Sequence, residues 1–521
     1  MAIFKSQEVI VKQENQNHDR DKYQDEQEVM LSKINKNSVN KNLILSIKDF
    51  GALGDGISDD TQSIQATINA VNQLGGGIVY IPEGIYKVSI NFSNQTALSI
   101  YQKITLQGVG DRASIIKLTD NQGNYDSILA GERDDANISD FAMYDLAIDG
   151  NGLNNPVSQE QDLVPGKLRH SLRIYIGSNI KIERCRFINQ SNINTITLNG
   201  NTAPFNVSIS DVSINNNIFE DIGGGDIDYD HSTVYTHGEN IQISENYFSS
   251  RNGAGTPGAR TAIEIHGDKH TVTNNYITGF TNGINVTGYA SSSDNQSITD
   301  NIIKEAYAGI VIWSYFSDGR QNTSNPAISN CMIAHNHISL NTYNWHKLWG
   351  DIPTGGIVLE PRSDAPIENL EIVGNQVFFT KSYKSQGDSD NLGNGIRLWR
   401  SENPSILSKN IQIKNNTIYN ALSSGIHINM PIKKGEIYEN KIFNPGRSKS
   451  KFHDYYRAGI FLDGNLDKMN IQGNSFIDNQ VSNTLKVGII DFAICNQNCS
   501  IADNYLRVDS GAKVKLFHQQ N

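Results

Sequence analysis

The chain is poor in charge, proline, cysteine and long apolar runs, and each shortage removes a class of protein. Lys, Arg, Asp and Glu make up 19% of its 521 residues, with a net charge of -11, against a usual charged share of about 25%. No Lys- or Arg-rich run is present, and a nucleic-acid partner needs a basic face for its phosphates, so that partner is excluded. The low charge is not the mark of a disordered chain either, because 37% of the residues are hydrophobic, enough to build a core. No window approaches the roughly 18 to 20 apolar residues of a membrane span, and Met1 to Lys12 lacks the apolar centre of a signal peptide. The expectation is a soluble chain with no membrane partner and no export signal of its own. Cysteines at 185, 331, 495 and 499 are too few for a disulfide scaffold. The Cys495/Cys499 pair lacks the second pair or the histidines that zinc would require, so buried thiols are expected.

What is abundant is repetition. From residue 180 a phrase recurs: an aliphatic residue, two variable ones, asparagine, one variable residue and another apolar one. It is written Ile214-Asn-Asn-Asn217-Ile-Phe219, then Ile243-Ser-Glu-Asn246-Tyr-Phe248, then Val272-Thr-Asn-Asn275-Tyr-Ile277. It returns around Asn301, Asn336, Asn375, Asn416, Asn440, Asn474 and Asn504, with Cys185 in the asparagine slot of the first copy. The 319 residues from 185 to 504 hold ten intervals, a mean of 31.9. A second phrase, glycine followed by apolar-variable-apolar, accompanies it at Gly283, Gly309, Gly356, Gly395, Gly425 and Gly459. Alternation of period two denotes strands with one buried face. Short strands repeated every 32 residues or so, with one residue type at each corner, predict an all-β parallel solenoid. Asparagine suits such a corner because it tolerates left-handed backbone and its amide can stack from coil to coil. The shorter, leucine-spaced pattern of leucine-rich repeats is absent.

The entry to the solenoid differs. Asp59 or Asp60 can cap a helix whose apolar residues Ile64, Ile68 and Val71 share one face and which Gly75 stops. That helix would cover the open end of the first coil. Residues 1–42, polar and mixed in charge, form an extension. The solenoid is expected over 43–508, with a cap at 47–90, coils from about 100 and regular repeats over 180–508, leaving 509–521 as a tail.

The stretch Lys48-Asp-Phe-Gly-Ala-Leu-Gly-Asp-Gly-Ile-Ser-Asp-Asp-Thr61, with Gly75-Gly-Gly and Tyr80-Ile-Pro-Glu-Gly-Ile-Tyr86 after it, resembles the entry segment of the pectate-lyase-like superfamily. The nearest styles are rhamnogalacturonase/epimerase-like members and phage tailspike depolymerases. The resemblance implies a right-handed single-stranded parallel β-helix that acts on a polysaccharide. It also implies an extracellular or virion-associated setting, a homotrimer as in tailspike-like relatives, and residues 1–42 as the attachment to a virion. Only about 15 residues follow the last repeat, so no dedicated trimerisation domain is expected. Polygalacturonase signatures are missing from the corresponding coils, with Thr236-His-Gly238 a partial echo, so a pectin substrate is not expected.

Strand parity locates the chemistry. With Ile263, Ile284, Ile310, Ile357, Ile396, Ile426 and Ile460 pointing inward, two outward columns follow. One runs Thr197, Tyr235, Glu264, Asn285, Val311, Val358, Arg397, His427, Phe461. The other runs Asn199, His237, His266, Thr287, Trp313, Glu360, Trp399, Asn429, Asp463. Both are expected to be exposed, forming a groove in which Tyr235, Arg260, Trp313, Glu360, Arg362, Arg397, Trp399 and His427 bind sugar and Arg400 adds donors. The densest titratable set, Asp228, Asp230, His237, Glu264 and His266, is the candidate for catalysis. A carboxylate pair, Glu264 with Asp228 or Asp230, would suit glycoside hydrolysis, which is placed slightly ahead of β-elimination. A lyase would use His237, His266 or Tyr235 as base, with Arg260 neutralising a uronate carboxylate. A non-catalytic glycan-binding spike and a uronate epimerase are the alternatives. No cofactor is expected. The Asp226–Asp230 cluster invites calcium, but its spacing is not that of a calcium loop.

Overall fold

The computed structural model describes residues 43–519 apart from 124, 157–168, 192–193, 201–208, 224–231, 252–259, 289–292, 315–326, 342–353, 360–364, 382–392, 400–406, 448–455, 483, 493–497 and 511–512. The expected extension at 1–42 therefore lies outside the described residues, as does Cys495. Among the described residues the strands form two ladders, of 29 and 15 strands, in which every strand pairing is parallel. Each strand pairs with its counterpart one coil away, as in Ile44–Ser46 with Gly77–Tyr80 and that in turn with Ile104–Gln107. The protein is a right-handed parallel β-helix with an N-terminal capping helix. The ladder extends beyond residue 508: Lys515–Gln519, inside the segment that the repeat spacing leaves as a tail, pairs with Val487–Asp491.

One continuous apolar core fills the coil interiors, from Leu45 to Ile489. Aromatic rings stack along it, Phe187 on Phe219 at 5.1 Å and Phe219 on Phe248 at 4.5 Å. The glycine of the second phrase is required by close approach: a Cβ on Gly309 would lie 2.5 Å from the Gly356 carbonyl oxygen and 2.5 Å from Ile338 Cγ2. The asparagines form a ladder. From Asn217 to Asn504 each Nδ2 donates to the next Oδ1 at 2.9–3.0 Å. Each amide also bonds backbone, as Asn275 Nδ2 does to Ile243 O and Asn301 Oδ1 does from Asn275 N. The left-handed residue, however, is the one before the ladder asparagine: Asn216, Glu245, Asn274, Asp300, His335, Asn415, Glu439 and Asp503 all have φ between 52° and 58°. The asparagine keeps ordinary backbone angles because its amide must lie along the coil axis to reach both neighbours.

The Thr61–Gln73 helix buries Ile64, Thr67, Ile68, Ala70 and Val71 over the first coil, and Gly75 ends it at φ 91°. Asp59, not Asp60, accepts from the first helical N–H, that of Thr61, at 3.0 Å. The buried Asp60 carboxylate turns instead to the glycine turn, accepting from Leu53 N at 2.7 Å and Gly54 N at 3.0 Å. Cys185 and Cys331 are buried free thiols, and burial pushes each up to about 12. Cys499 is disulfide-bonded, against the expectation of a thiol; it is partly buried and packs against the apolar core.

Candidate functional site

The outward columns are in register along one sheet. Tyr235 pairs with Glu264 and His237 with His266, then Glu264 with Asn285 and His266 with Thr287. Thr287 meets Trp313, and the first column continues through Val311, Val358, Arg397, His427 and Phe461. Asp228, Asp230, Glu360, Arg362 and Arg400 lie outside the described residues. The columns point away from the main core, but much of them is not exposed. Asn285 (2%), Arg397 (6%) and His427 (3%) are almost fully covered. The reason is visible in the apolar members, which pack among themselves. Ala308, Val311 and Val358 cluster with Trp313, and Ala458, Phe461 and Ile490 with Tyr456, Val487 and Phe492. The face carries its own small cores, and its polar groups are set among them.

Glu264 and His266 occupy one strand, Thr261–Asp268, two residues apart and so on one face. Glu264 Oε1 lies 3.0 Å from His266 Nε2, and Ser232, a residue that sequence patterning did not single out, donates its hydroxyl to Oε2. Burial alone would raise the Glu264 pKa. The His266 hydrogen bond, the Ser232 hydroxyl and the nearby Arg260 guanidinium outweigh it and hold the carboxyl below the usual range. An ionised Glu264 accepts, so in the neutral form of His266, Nε2 carries the hydrogen and Nδ1 the lone pair. That Nδ1 is buried without a hydrogen-bond partner, as are Asn285 Oδ1 and Thr287 Oγ1 on the next coil. Three such atoms on two adjacent coils are unusual, because buried polar groups are nearly always paired. The Tyr235 ring lies 4.9 Å from the His266 ring and that of His237 5.3 Å. Burial, with His266 beside it, pulls His237 down to about 4. It is neutral at pH 7.

Arg260 is buried next to this pair. Arg397 stacks over Trp399 at 4.5 Å, so one face of that indole is taken by a cation. His427 Nε2 lies 2.9 Å from Asp463 Oδ1, and its ring stacks on Phe461 at 4.6 Å. Trp313 packs against the apolar cluster of Val311 and Val358. Glu264, His266, His237, Tyr235 and Arg260 are thus brought together, while Arg397, Trp399 and His427 form a second group four coils on. Among the described residues no three His, Cys, Asp or Glu side chains converge as metal ligands.

Comparison with known proteins agrees with this architecture. The chain is 40% identical over 110 residues to the mannuronan C5-epimerase AlgE6 of Azotobacter vinelandii, covering 21% of this chain and 13% of that protein. It is 43% identical over 110 residues to alginate lyase 7 of the same organism, covering 20% and 12%. The matched stretch thus spans about an eighth of those relatives' length. Among solved structures, the N-terminal fragment of bacteriophage phi29 gene product 12 superposes with a TM-score of 0.65 at 17% identity, covering 90% of this chain and 71% of that one. A tailspike of the E. coli bacteriophage HK620, solved in complex with pentasaccharide, gives 0.60 at 14% identity, covering 89% and 78%. These two share the fold. The family model described as rhamnogalacturonase A/epimerase, pectate lyase-like matches residues 44–332, more than half of the chain, and the protein belongs to that family.

Proposed function

We propose that the protein acts on an acidic polysaccharide by removing the proton beside a uronate carboxylate, the step that β-elimination and C5-epimerisation share. The observation that carries this reading is the Glu264–His266 pair. An ionised carboxylate fixes the imidazole tautomer and leaves a buried lone pair on Nδ1, the arrangement of a general base oriented by a third group. In the reaction, Nδ1 takes the C5 proton, and the negative charge that develops on the substrate carboxylate is met by Arg260. In elimination the C4–O bond then breaks, the Tyr235 hydroxyl protonates the departing oxygen and a C4–C5 double bond remains. In epimerisation no bond to oxygen breaks, and a proton returns to C5 from the opposite face. Tyr235, on the coil beside His266, is the group for that return.

The names of the epimerase and lyase relatives support the uronan class. Hydrolysis needs two carboxylates about 5 to 10 Å apart. In register Glu264 has Tyr235 on one side and Asn285 on the other, and its candidate partners Asp228 and Asp230 lie outside the described residues. The reading therefore rests on the Glu264–His266 pair and not on a carboxylate pair. An extracellular setting, virion-associated included, suits the reading, and the disulfide at Cys499 belongs in an oxidising compartment.

Incubation with polymannuronate tests the proposal. Unsaturated uronides absorbing in the ultraviolet, or a changed uronate composition at constant chain length, are expected, and both should vanish in Glu264→Gln and His266→Gln. New reducing ends without unsaturation would establish hydrolysis instead. Retention of the polymer without any product would leave a glycan-binding spike.

A further inference from the structure

Arg397 plays no part in that chemistry, yet it is a buried charge with no ion pair among the described residues. Its side chain is 6% exposed and its Nε is buried without a hydrogen-bond partner. Its directional contact is the stack on Trp399, and no ion pair among the described residues reaches it. Burying an unpaired guanidinium is costly, so the fold alone gives no reason for it.

The same column contains the compensated version. Arg173, in register with Thr197, also stacks on an aromatic ring, that of Tyr175 at 4.5 Å. It is met by Asp126 at 2.7 Å and Asp134 at 2.8 Å. Arg397 has the ring, while the carboxylate that acts on it, Asp463, is bonded to His427 and not to the guanidinium. What is missing is an anion.

One coil further, in register with Arg397, His427 specifies the other half of a ligand. Asp463 accepts from its Nε2, which leaves Nδ1 as an acceptor, and that atom is also buried and unpartnered. A molecule satisfying both groups must offer an oxyanion to the guanidinium and a hydroxyl hydrogen to the imidazole. A sugar acid has both. Phe461 stacks on His427 from the following coil at 4.6 Å, and the Tyr456 ring meets the imidazole edge-on at 6.5 Å.

We propose that Arg397, His427 and Trp399 form a second receptor for a carboxylate-bearing sugar, so that one acidic glycan chain is held there while another of its residues lies at Glu264–His266. The two centres are four coils apart, about 19 Å at a strand spacing of about 4.8 Å. The inference rests on the acidic substrate proposed above. Burial draws the Arg397 pKa down to about 10, and a bound carboxylate would reverse that shift.

Arg397→Met provides the test, because the two explanations for this arginine move stability in opposite directions. A receptor arginine weakens the empty fold, so the variant should melt a few degrees higher than the wild type without ligand. It should bind polymannuronate at least tenfold more weakly, with Arg397→Lys intermediate and a neutral dextran bound by none. A lower melting temperature with unchanged polymannuronate binding would make Arg397 structural and overturn the inference. Unchanged binding in Arg397→Met, with product still lost in Glu264→Gln, would overturn this inference alone. A wild type that neither binds nor alters polymannuronate would overturn the uronate reading and this inference with it.

Discussion

Two carboxylate–imidazole pairs stand on one sheet of this solenoid, alike in their first bond and different in what surrounds it. Glu264 holds His266 and Asp463 holds His427, through Nε2 in both, at 3.0 and 2.9 Å, and both leave Nδ1 buried and unpartnered. At the first, a tyrosine ring lies against the imidazole and a serine hydroxyl fixes the second carboxylate oxygen. At the second, phenylalanine stacks on the imidazole, the Tyr456 ring meets it edge-on, and no ion pair among the described residues reaches the neighbouring arginine. A histidine–acid pair is therefore not in itself a mark of catalysis. What surrounds the pair decides its role, and unpaired charge beside it marks where a ligand's charge belongs.

The largest effect that would sharpen this contrast is on turnover. His266→Gln should lower product formation by about 10²- to 10⁴-fold, the scale of a lost general base, whereas His427→Gln should act mainly through KM for long polymer. Equal losses of kcat in both variants would erase the distinction. Next in size is a change to the frame that both centres share. Asn336 lies in the ladder between them, donating to Asn375 Oδ1 at 2.9 Å and to Ile298 O at 2.9 Å. Asn336→Ala leaves several buried partners unpaired, at about 1–3 kcal/mol each, and should lower the melting temperature by several degrees; an unchanged melting curve would show that the ladder is incidental. The smallest local effect is that of Phe461→Leu. Loss of the ring on His427 should cost about 0.5–1.5 kcal/mol and weaken polymer binding slightly, while the ultraviolet product signal from a short oligomer persists.

Acid should weaken the whole frame. His170, His237 and His270 are held neutral by burial, at about 3, 4 and 3, whereas an unfolded chain protonates them below about 6.5. The unfolded state therefore binds more protons between about pH 6.5 and pH 4, and stability falls as pH drops through that window. The depressed Glu264 carboxyl acts in the same direction. A melting temperature that is level from pH 7 to pH 4 would contradict the burial of these rings.

The interior of this molecule was legible in the sequence, and the exterior only in part. Every coil repeats the same packing problem, so the period, the ladder asparagines and the inward isoleucines are written many times over. Parity then sufficed to set the register of the outward columns, even at Tyr235, where no glycine anchors the coil. It could not give depth. Whether Arg397 is open or covered depends on neighbours such as Tyr307 and Tyr456, which belong to no repeated phrase. The same holds for Ser232, whose hydroxyl meets Glu264 across a coil boundary 32 residues away, and for Asp60, which the proximity of a helix start made a cap although its carboxylate serves the preceding turn. The left-handed residue was displaced by one because sequence shows which residue recurs and not which torsion turns the chain.

The asparagine ladder has a consequence for how such a protein can change. Successive members are 41 residues apart between Asn375 and Asn416 and only 24 apart between Asn416 and Asn440, yet both links close at 3.0 Å. Coil length is thus a free variable and the rung is the constant. Segments can be lengthened, shortened or exchanged between rungs with the spine intact, and a lineage built this way can alter the glycan it grips without having to solve its folding problem again.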